Sequence, residues 1–318
     1  EHITFELMKG CNETLLEHGV HAEDIVISFV PGTFELPFAA KKLANENHLA
    51  GVICIGCVIK GETKHDEYIN HFADTVSPPW VLKPRSEASA TGIMKVYSKE
   101  ELWQKIHELG DNRIKYLVEQ FKPGAVYHCD GLNFNSKVLF SLTSQYLATP
   151  MEISQGGGIF RSANIKYNSA DDRAIKKVNE QVMKSFGMKH GATHTEFIKC
   201  NEDGKIYFLE TSSRVGGAHL AEMVEAASGI NLWGEWAKIE DALVRGIEYK
   251  VPSPKNQFAG IVLTLSKYEH PDLSGFNDSE ICFRVPLEYH AGLIVKSDEL
   301  ERVRELLDDY AERLVQDF

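Results

Sequence analysis

The 318 residues carry 34 Lys plus Arg against 46 Asp plus Glu, a net charge of −12, with 43% hydrophobic and 25% charged residues. This composition predicts a folded chain of about two domains, and its acidity excludes nucleic-acid binding driven by bulk charge. The longest apolar run, Gly51 to Ile59, is far short of the ~18 residues that cross a bilayer. No secretory leader is visible behind Glu1, and six cysteines make no disulfide framework, so the expectation is a cytoplasmic protein without membrane or nucleic-acid partners.

The first predicted element is a helix. Phe5, Met8, Cys11, Leu15 and Leu16 fall on one helical face and Gly19 can stop it. Asp24 to Val30 predicts a buried strand ended by Pro31-Gly32, Glu35 to Asn47 a second helix, and Gly51 to Ile59 a second strand apolar on both faces. Strand, helix and strand at this spacing predict a βαβ unit on a parallel sheet. Cys54 and Cys57 lie inside the second strand with no further pair nearby, which favours buried structural cysteines over a metal or redox pair.

The loop after that strand, Lys60 to Tyr68, is led by Gly61 and feeds a helix N-terminus, where backbone N–H groups can hold a phosphate. The strings VPGTFELPFAAKKLA (from Val30) and ICIGCVIKGETKHDEYINH (from Ile53) resemble lumazine synthase, over residues 1–71. That family condenses a ribityl-aminouracil with a ketose phosphate without metal or cofactor. The resemblance implies that Thr33, Phe34 and Glu35 hold the pyrimidine and ribityl chain, that Gly61, Glu62 and Thr63 meet the phosphate, and that His65 moves protons as general acid/base. The family's C-terminal half does not follow, so the implied site is incomplete.

From Phe72 the pattern changes to short strands with tight turns. Trp80 to Pro84 predicts a strand carrying Lys83, and a loop of small residues runs from Arg85 to Gly92 into a strand over Ile93 to Tyr97. Ser98 with Glu101 predicts a capping box for a helix reaching Leu109. Further strands are predicted over Lys115 to Phe121, Ala125 to Phe134 and Lys137 to Gln145, with Gly156-Gly157-Gly158 as a flexible loop. A helix over Ala170 to Phe186 precedes strands over Gly191 to Cys200 and Lys205 to Glu210, joined at Asn201 to Gly204. Alternation places His194, Glu196 and Ile198 on one face, and Glu210, Ser212 and Arg214 on one face. Two facing carboxylates repel unless they are solvated or share a cation.

The strings VLKPRSEASATGI (from Val81), YLVEQFKPGAVYHCDG (from Tyr116) and HTEFIKCNEDGKIYFLETSSRVGGAH (from His194) resemble, in that order, three motifs of the ATP-grasp superfamily, nearest its carboxylate–amine ligases and biotin carboxylases. The implied division is residues 1–71, a partial lumazine synthase-like α/β segment, and residues 72–318, an ATP-grasp domain of antiparallel sheets with helices, mixed α/β and α+β overall, without the domain that usually precedes it.

The resemblance implies that Lys83 meets the α- and β-phosphates, with Ser86 and Ser89 in the segment that covers them. Glu119, Gln120 and Phe121 would hold adenine and ribose. Glu196, Glu210 and Ser212 would hold Mg²⁺, with Mn²⁺ as the alternative cation; Ser212 stands where most of the family has asparagine. Arg214 would clamp a carboxylate. The implied reaction is activation of a small carboxylate as an acyl phosphate by ATP, then attack by an amine, with a homo-oligomer compatible with it. The competing expectations are a lumazine synthase-type condensation and a non-catalytic ATP-binding or assembly module.

Overall fold

The computed structural model describes residues 2–30, 36–45, 49–56, 65–85, 92–149, 151, 153 and 158–318. The chain divides into two compact parts, Glu1–Val76 and Ser77–Phe318.

The N-terminal part contains helices α1 (His2–Glu17), α2 (Leu36–Leu43) and α3 (His65–Thr75). Helix α1 stops as the sequence predicts: Gly19 takes a φ of +86°, and Val20 N–H reaches back to the Leu15 carbonyl at 3.0 Å. The two predicted strands do not pair. Among the described residues of this part, neither 25–30 nor 51–56 joins a sheet, and no residue is buried. A parallel strand becomes an interior strand only with neighbours on both sides and cover on both faces. Here Val26, Ile27, Phe29 and Ile53 remain exposed, so the local apolar pattern lacks the contacts that would order it. Cys54 is likewise exposed, which corrects the expectation of a buried cysteine. Helix α3 continues through residues 71 and 72.

The C-terminal part begins with a three-stranded antiparallel sheet. Strand β1 (Trp80–Pro84) lies between β2 (Met94–Val96) and β3 (Tyr116–Gln120). Helix α4 (Lys99–Leu109) starts at Ser98, whose hydroxyl accepts the Glu101 N–H at 3.1 Å. The Glu101 carboxylate accepts instead from Tyr97 N–H at 2.8 Å, one residue earlier than a reciprocal capping box requires.

An eight-stranded antiparallel sheet follows. Its strands are β4 (Gly124–Phe134), β5 (Lys137–Tyr146), β6 (Phe160–Asn164), β7 (Gly191–Cys200), β8 (Ile206–Ser212), β9 (Phe258–Leu265), β10 (Ile281–Arg284) and β11 (His290–Ser297). They lie in the order β10-β11-β9-β6-β5-β4-β7-β8. Helices α5 (Ala170–Ser185), α6 (Leu220–Ser228), α7 (Leu232–Arg245) and α8 (Leu300–Asp317) cover it. Helices α6 and α7 bury Met223, Val224, Leu232 and Ile239 against Leu132, Leu142, Ile261 and Ile294. Helix α8 presents Val303, Leu306, Leu307, Tyr310 and Leu314 at helical spacing to Val262, Leu293 and Val295. Helix α5 closes a smaller core with Ile175 against Cys129 and Phe197. Strand β4 and helix α5 pack against the β7–β8 hairpin, and that hairpin carries the predicted acidic pair. No helix among the described residues is long and apolar enough to cross a membrane.

Candidate active site

Antiparallel register builds the site from single residues. Glu196 on β7 stands directly opposite Glu210 on β8, and His194 opposite Ser212. On the other side of β7, His128 of β4 stands opposite Glu196 and Asp130 opposite His194. Two rows of polar side chains therefore cross the sheet, His128–Glu196–Glu210 and Asp130–His194–Ser212. Most of this face is dry: His128 and Asp130 are 0% exposed, and Glu196 is 9%.

Burial makes the charges consequential. The Glu210 carboxyl is pushed above the ordinary carboxylate range by burial and by the neighbouring Glu196 charge, while Lys83 pulls the other way. Glu196 is held below its ordinary range: burial opposes this, but the hydrogen bond and charge of His194 overcome it. Burial would also depress His194, yet Asp130 at 2.8 Å outweighs it and raises the imidazole to about 10. Asp130 is held well below the carboxylate range, against the effect of burial, by His194 and His128. The acidic pair is thus electrostatically unequal, and a divalent cation would relieve the repulsion that remains.

Lys83 is buried on β1. Its ammonium lies 2.9 Å from Glu119 Oε2 on β3 and donates to the Leu209 carbonyl at 3.3 Å. The small sheet and the β7–β8 hairpin therefore meet at Lys83, beside Glu210. Gln120 is exposed, and its side chain donates to the Ser77 carbonyl at 3.5 Å. The Phe121 N–H is used on the Pro79 carbonyl at 3.0 Å, and Lys95 lies over its ring at 3.5 Å. Arg214 is exposed just past β8 and spends one of its N–H donors on the Val215 carbonyl at 2.9 Å. The structure thus brings together Lys83, Glu119, Glu196, Glu210 and Ser212, and leaves Arg214 outside their contacts.

Several predicted residues lie outside the described ones: Thr33, Phe34, Glu35, Gly61, Glu62, Thr63, Ser86 and Ser89. The backbone of His65 opens α3.

Sequence reasoning passed over Tyr146, His128, Asp130 and Ser162. They form a continuous buried chain with Glu196. Ser162 Oγ meets His128 Nε2 at 2.6 Å, His128 Nδ1 meets Asp130 Oδ2 at 2.6 Å, and Asp130 Oδ1 meets His194 Nδ1 at 2.8 Å. The Tyr146 hydroxyl donates to Glu196 Oε1 at 2.7 Å. The available signal was His128 and Asp130 standing two apart in a largely apolar strand. His128, Asp130 and His194 lie close enough to suggest a cation site. Their contacts are those of hydrogen bonds, however, and donors around Zn²⁺ at about 2.0–2.1 Å would stand further apart. Gly216 presses on the same pair: a Cβ there would fall 2.8 Å from Asp130 Oδ1 and 3.0 Å from His194 Nδ1.

This architecture, a small antiparallel sheet followed by a large one covered by helices, has solved counterparts. Residues 77–318 have the ATP-grasp fold. Residues 76–222 match the family described as ATP-grasp domain, and residues 1–77 match 6,7-dimethyl-8-ribityllumazine synthase. The L-amino acid ligase from Bacillus licheniformis superposes with a TM-score of 0.54 at 20% identity, covering 74% of this chain and 63% of that one. The biotin carboxylase domain of the 2-oxoglutarate carboxylase from Hydrogenobacter thermophilus, solved with ADP, magnesium and bicarbonate, gives 0.56 at 14% identity, covering 79% and 60%. At these identities the likeness is one of fold. The 6,7-dimethyl-8-ribityllumazine synthase of Porphyromonas gingivalis is 54% identical over 67 residues, which are 21% of this chain and 42% of that protein. The chain therefore carries a lumazine synthase-like segment followed by an ATP-grasp domain, and spans less than half of the lumazine synthase that it matches.

Proposed function

We propose that residues 72–318 form an ATP-dependent carboxylate–amine ligase, with the lumazine synthase-like segment of residues 1–71 fused ahead of it. The observation that carries this reading is the directly opposed Glu196/Glu210 pair with Lys83 beside it. Two carboxylates and the Ser212 hydroxyl offer hard oxygen donors, which suit Mg²⁺ or Mn²⁺ and not a soft metal. Glu196 and Glu210 would hold the cation, with Ser212 next to them. When bound it would neutralise charge on the transferring phosphoryl group.

The chain's own residues do the rest. Lys83 releases Glu119 to meet the α- and β-phosphates as a point charge. Glu119, Gln120 and the backbone at Phe121 hold adenine and ribose, and Ser86 and Ser89 belong to the segment that covers the phosphates. Arg214 keeps N–H donors for a bidentate grip on the acceptor carboxylate. A carboxylate oxygen attacks the γ-phosphorus and ADP leaves. The amine nitrogen then attacks the acyl carbon, phosphate leaves, and the nitrogen gives up a proton. The acid and the amine are small molecules.

The test is ATP binding and ADP release over a panel of carboxylates with Mg²⁺. Lys83→Met should weaken ATP binding by about 1.5–3 kcal/mol, as for a lost charge-assisted hydrogen bond. Glu210→Gln should weaken its Mg²⁺ dependence, whereas Arg214→Ala should keep ATP affinity and lose carboxylate-stimulated ADP release. Unchanged Mg²⁺ dependence in Glu210→Gln would overturn the metal assignment. Wild-type protein that binds ATP yet releases no ADP with any acceptor would reduce the domain to a nucleotide-binding module.

A further inference from the structure

Glu196 is held by one oxygen. Its Oε1 accepts the Tyr146 hydroxyl at 2.7 Å and lies 3.4 Å from His194 Nε2, and among the described residues no donor reaches Oε2. Both partners are themselves fixed. The Tyr146 ring packs on His128 at 4.7 Å and edge-on to Phe160 at 5.7 Å. His194 is locked from behind by Asp130, whose second oxygen binds His128, which in turn is anchored on Ser162. Every member of this chain from Ser162 to Asp130 is 0% exposed, so Glu196 can rotate only by breaking buried hydrogen bonds.

A carboxylate pinned in this way presents a single oxygen to a cation. Mg²⁺ accepts single-oxygen carboxylates in a tight octahedron, whereas Ca²⁺ takes more ligands and readily uses both oxygens of a carboxylate. Bidentate use of Glu196 would bring the cation onto Oε1, which already accepts from Tyr146 and faces His194 Nε2 at 3.4 Å. We propose that Tyr146 and the Asp130–His194 pair are positioning residues that make Glu196 a one-oxygen ligand and thereby set the site's preference for Mg²⁺ over Ca²⁺. This rests on the assignment of Glu196 and Glu210 to the metal. The pair also lies against Gly216, two residues beyond Arg214, where a Cβ would fall 2.8 Å from Asp130 Oδ1.

The experiment is Mn²⁺ binding followed by electron paramagnetic resonance in the presence of ADP, with Mg²⁺ or Ca²⁺ as competitor, in the full chain. Tyr146→Phe keeps the ring and removes only the hydroxyl. It should lower Mg²⁺ affinity about tenfold, as for other groups that orient a metal ligand, and Ca²⁺ affinity by less than about threefold. Asp130→Asn should move the ratio in the same direction. Equal losses for both cations, or a ratio unchanged within twofold, would overturn the inference. Glu196→Gln and Glu210→Gln separate the two layers. If they leave Mn²⁺ binding intact, the metal assignment itself fails and the inference with it. If they abolish binding while Tyr146→Phe leaves the Mg²⁺/Ca²⁺ ratio unmoved, the inference alone fails. Should Asp130→Asn not fold, Tyr146→Phe carries the decision.

Discussion

The two parts of this chain separate resemblance from structural completeness. The N-terminal segment matches a relative at 54% identity, yet none of its described residues is buried. The C-terminal part shares 14–20% identity with its solved counterparts and closes several dense cores. Identity reports ancestry. Burial reports whether the contacts that an apolar pattern anticipates are present, and stability follows burial.

Native-state hydrogen exchange tests this contrast at its widest. Amides on β4 and β7 should open only with global unfolding, whereas those of α1 and α2 should exchange at least about a thousandfold faster, or roughly 4 kcal/mol. Equal protection in the two parts would show that the N-terminal segment has a core of its own.

A second test sits inside the stable part. Asp130→Asn leaves the buried His194 without its partner and should cost about 3–5 kcal/mol near pH 6. The sign of the pH effect is fixed by the shifts. His194, raised to about 10, stabilises fully below its unfolded value near 6.5, and this is lost as pH rises through about 10. Asp130, depressed in the folded state, stabilises above about 3.9, and this is lost as pH falls below that value. Denaturant melts should show the penalty of Asp130→Asn shrinking at both extremes. A penalty independent of pH would assign it to packing.

A last test pairs two substitutions of one residue type, and its exposed member carries the smallest expected effect. Phe197→Ala, at a fully buried site, should cost about 3–5 kcal/mol. Phe29→Ala, at a side chain 72% exposed, should stay within about 0.5 kcal/mol. A large loss at Phe29 would mean that this segment packs after all.

Much of the ATP-grasp part was legible in the sequence because its signals are local. Alternation along two strands and the Asn201 to Gly204 turn were enough to oppose Glu196 and Glu210. The chain behind them was not legible, since Asp130 meets His194 only through the β4–β7 register, and Tyr146 reaches Glu196 from a third strand. Pairing between strands distant in sequence is a tertiary fact. The N-terminal strands failed for the converse reason: β-branched composition predicts a strand but cannot supply its neighbours.

The strand order also has a consequence for how the chain is made. Strand β9 lies between β6 and β11, although it is synthesised after β7, β8 and two helices. On the ribosome, the hairpin with both glutamates and the strands behind it emerge while β6 still presents an open edge of unpaired N–H and C=O groups. Ile261 and Ile294, which complete the main core, arrive later still. The acidic hairpin therefore leaves the ribosome before β9, β11 and α8, the elements that close the sheet and its core behind it.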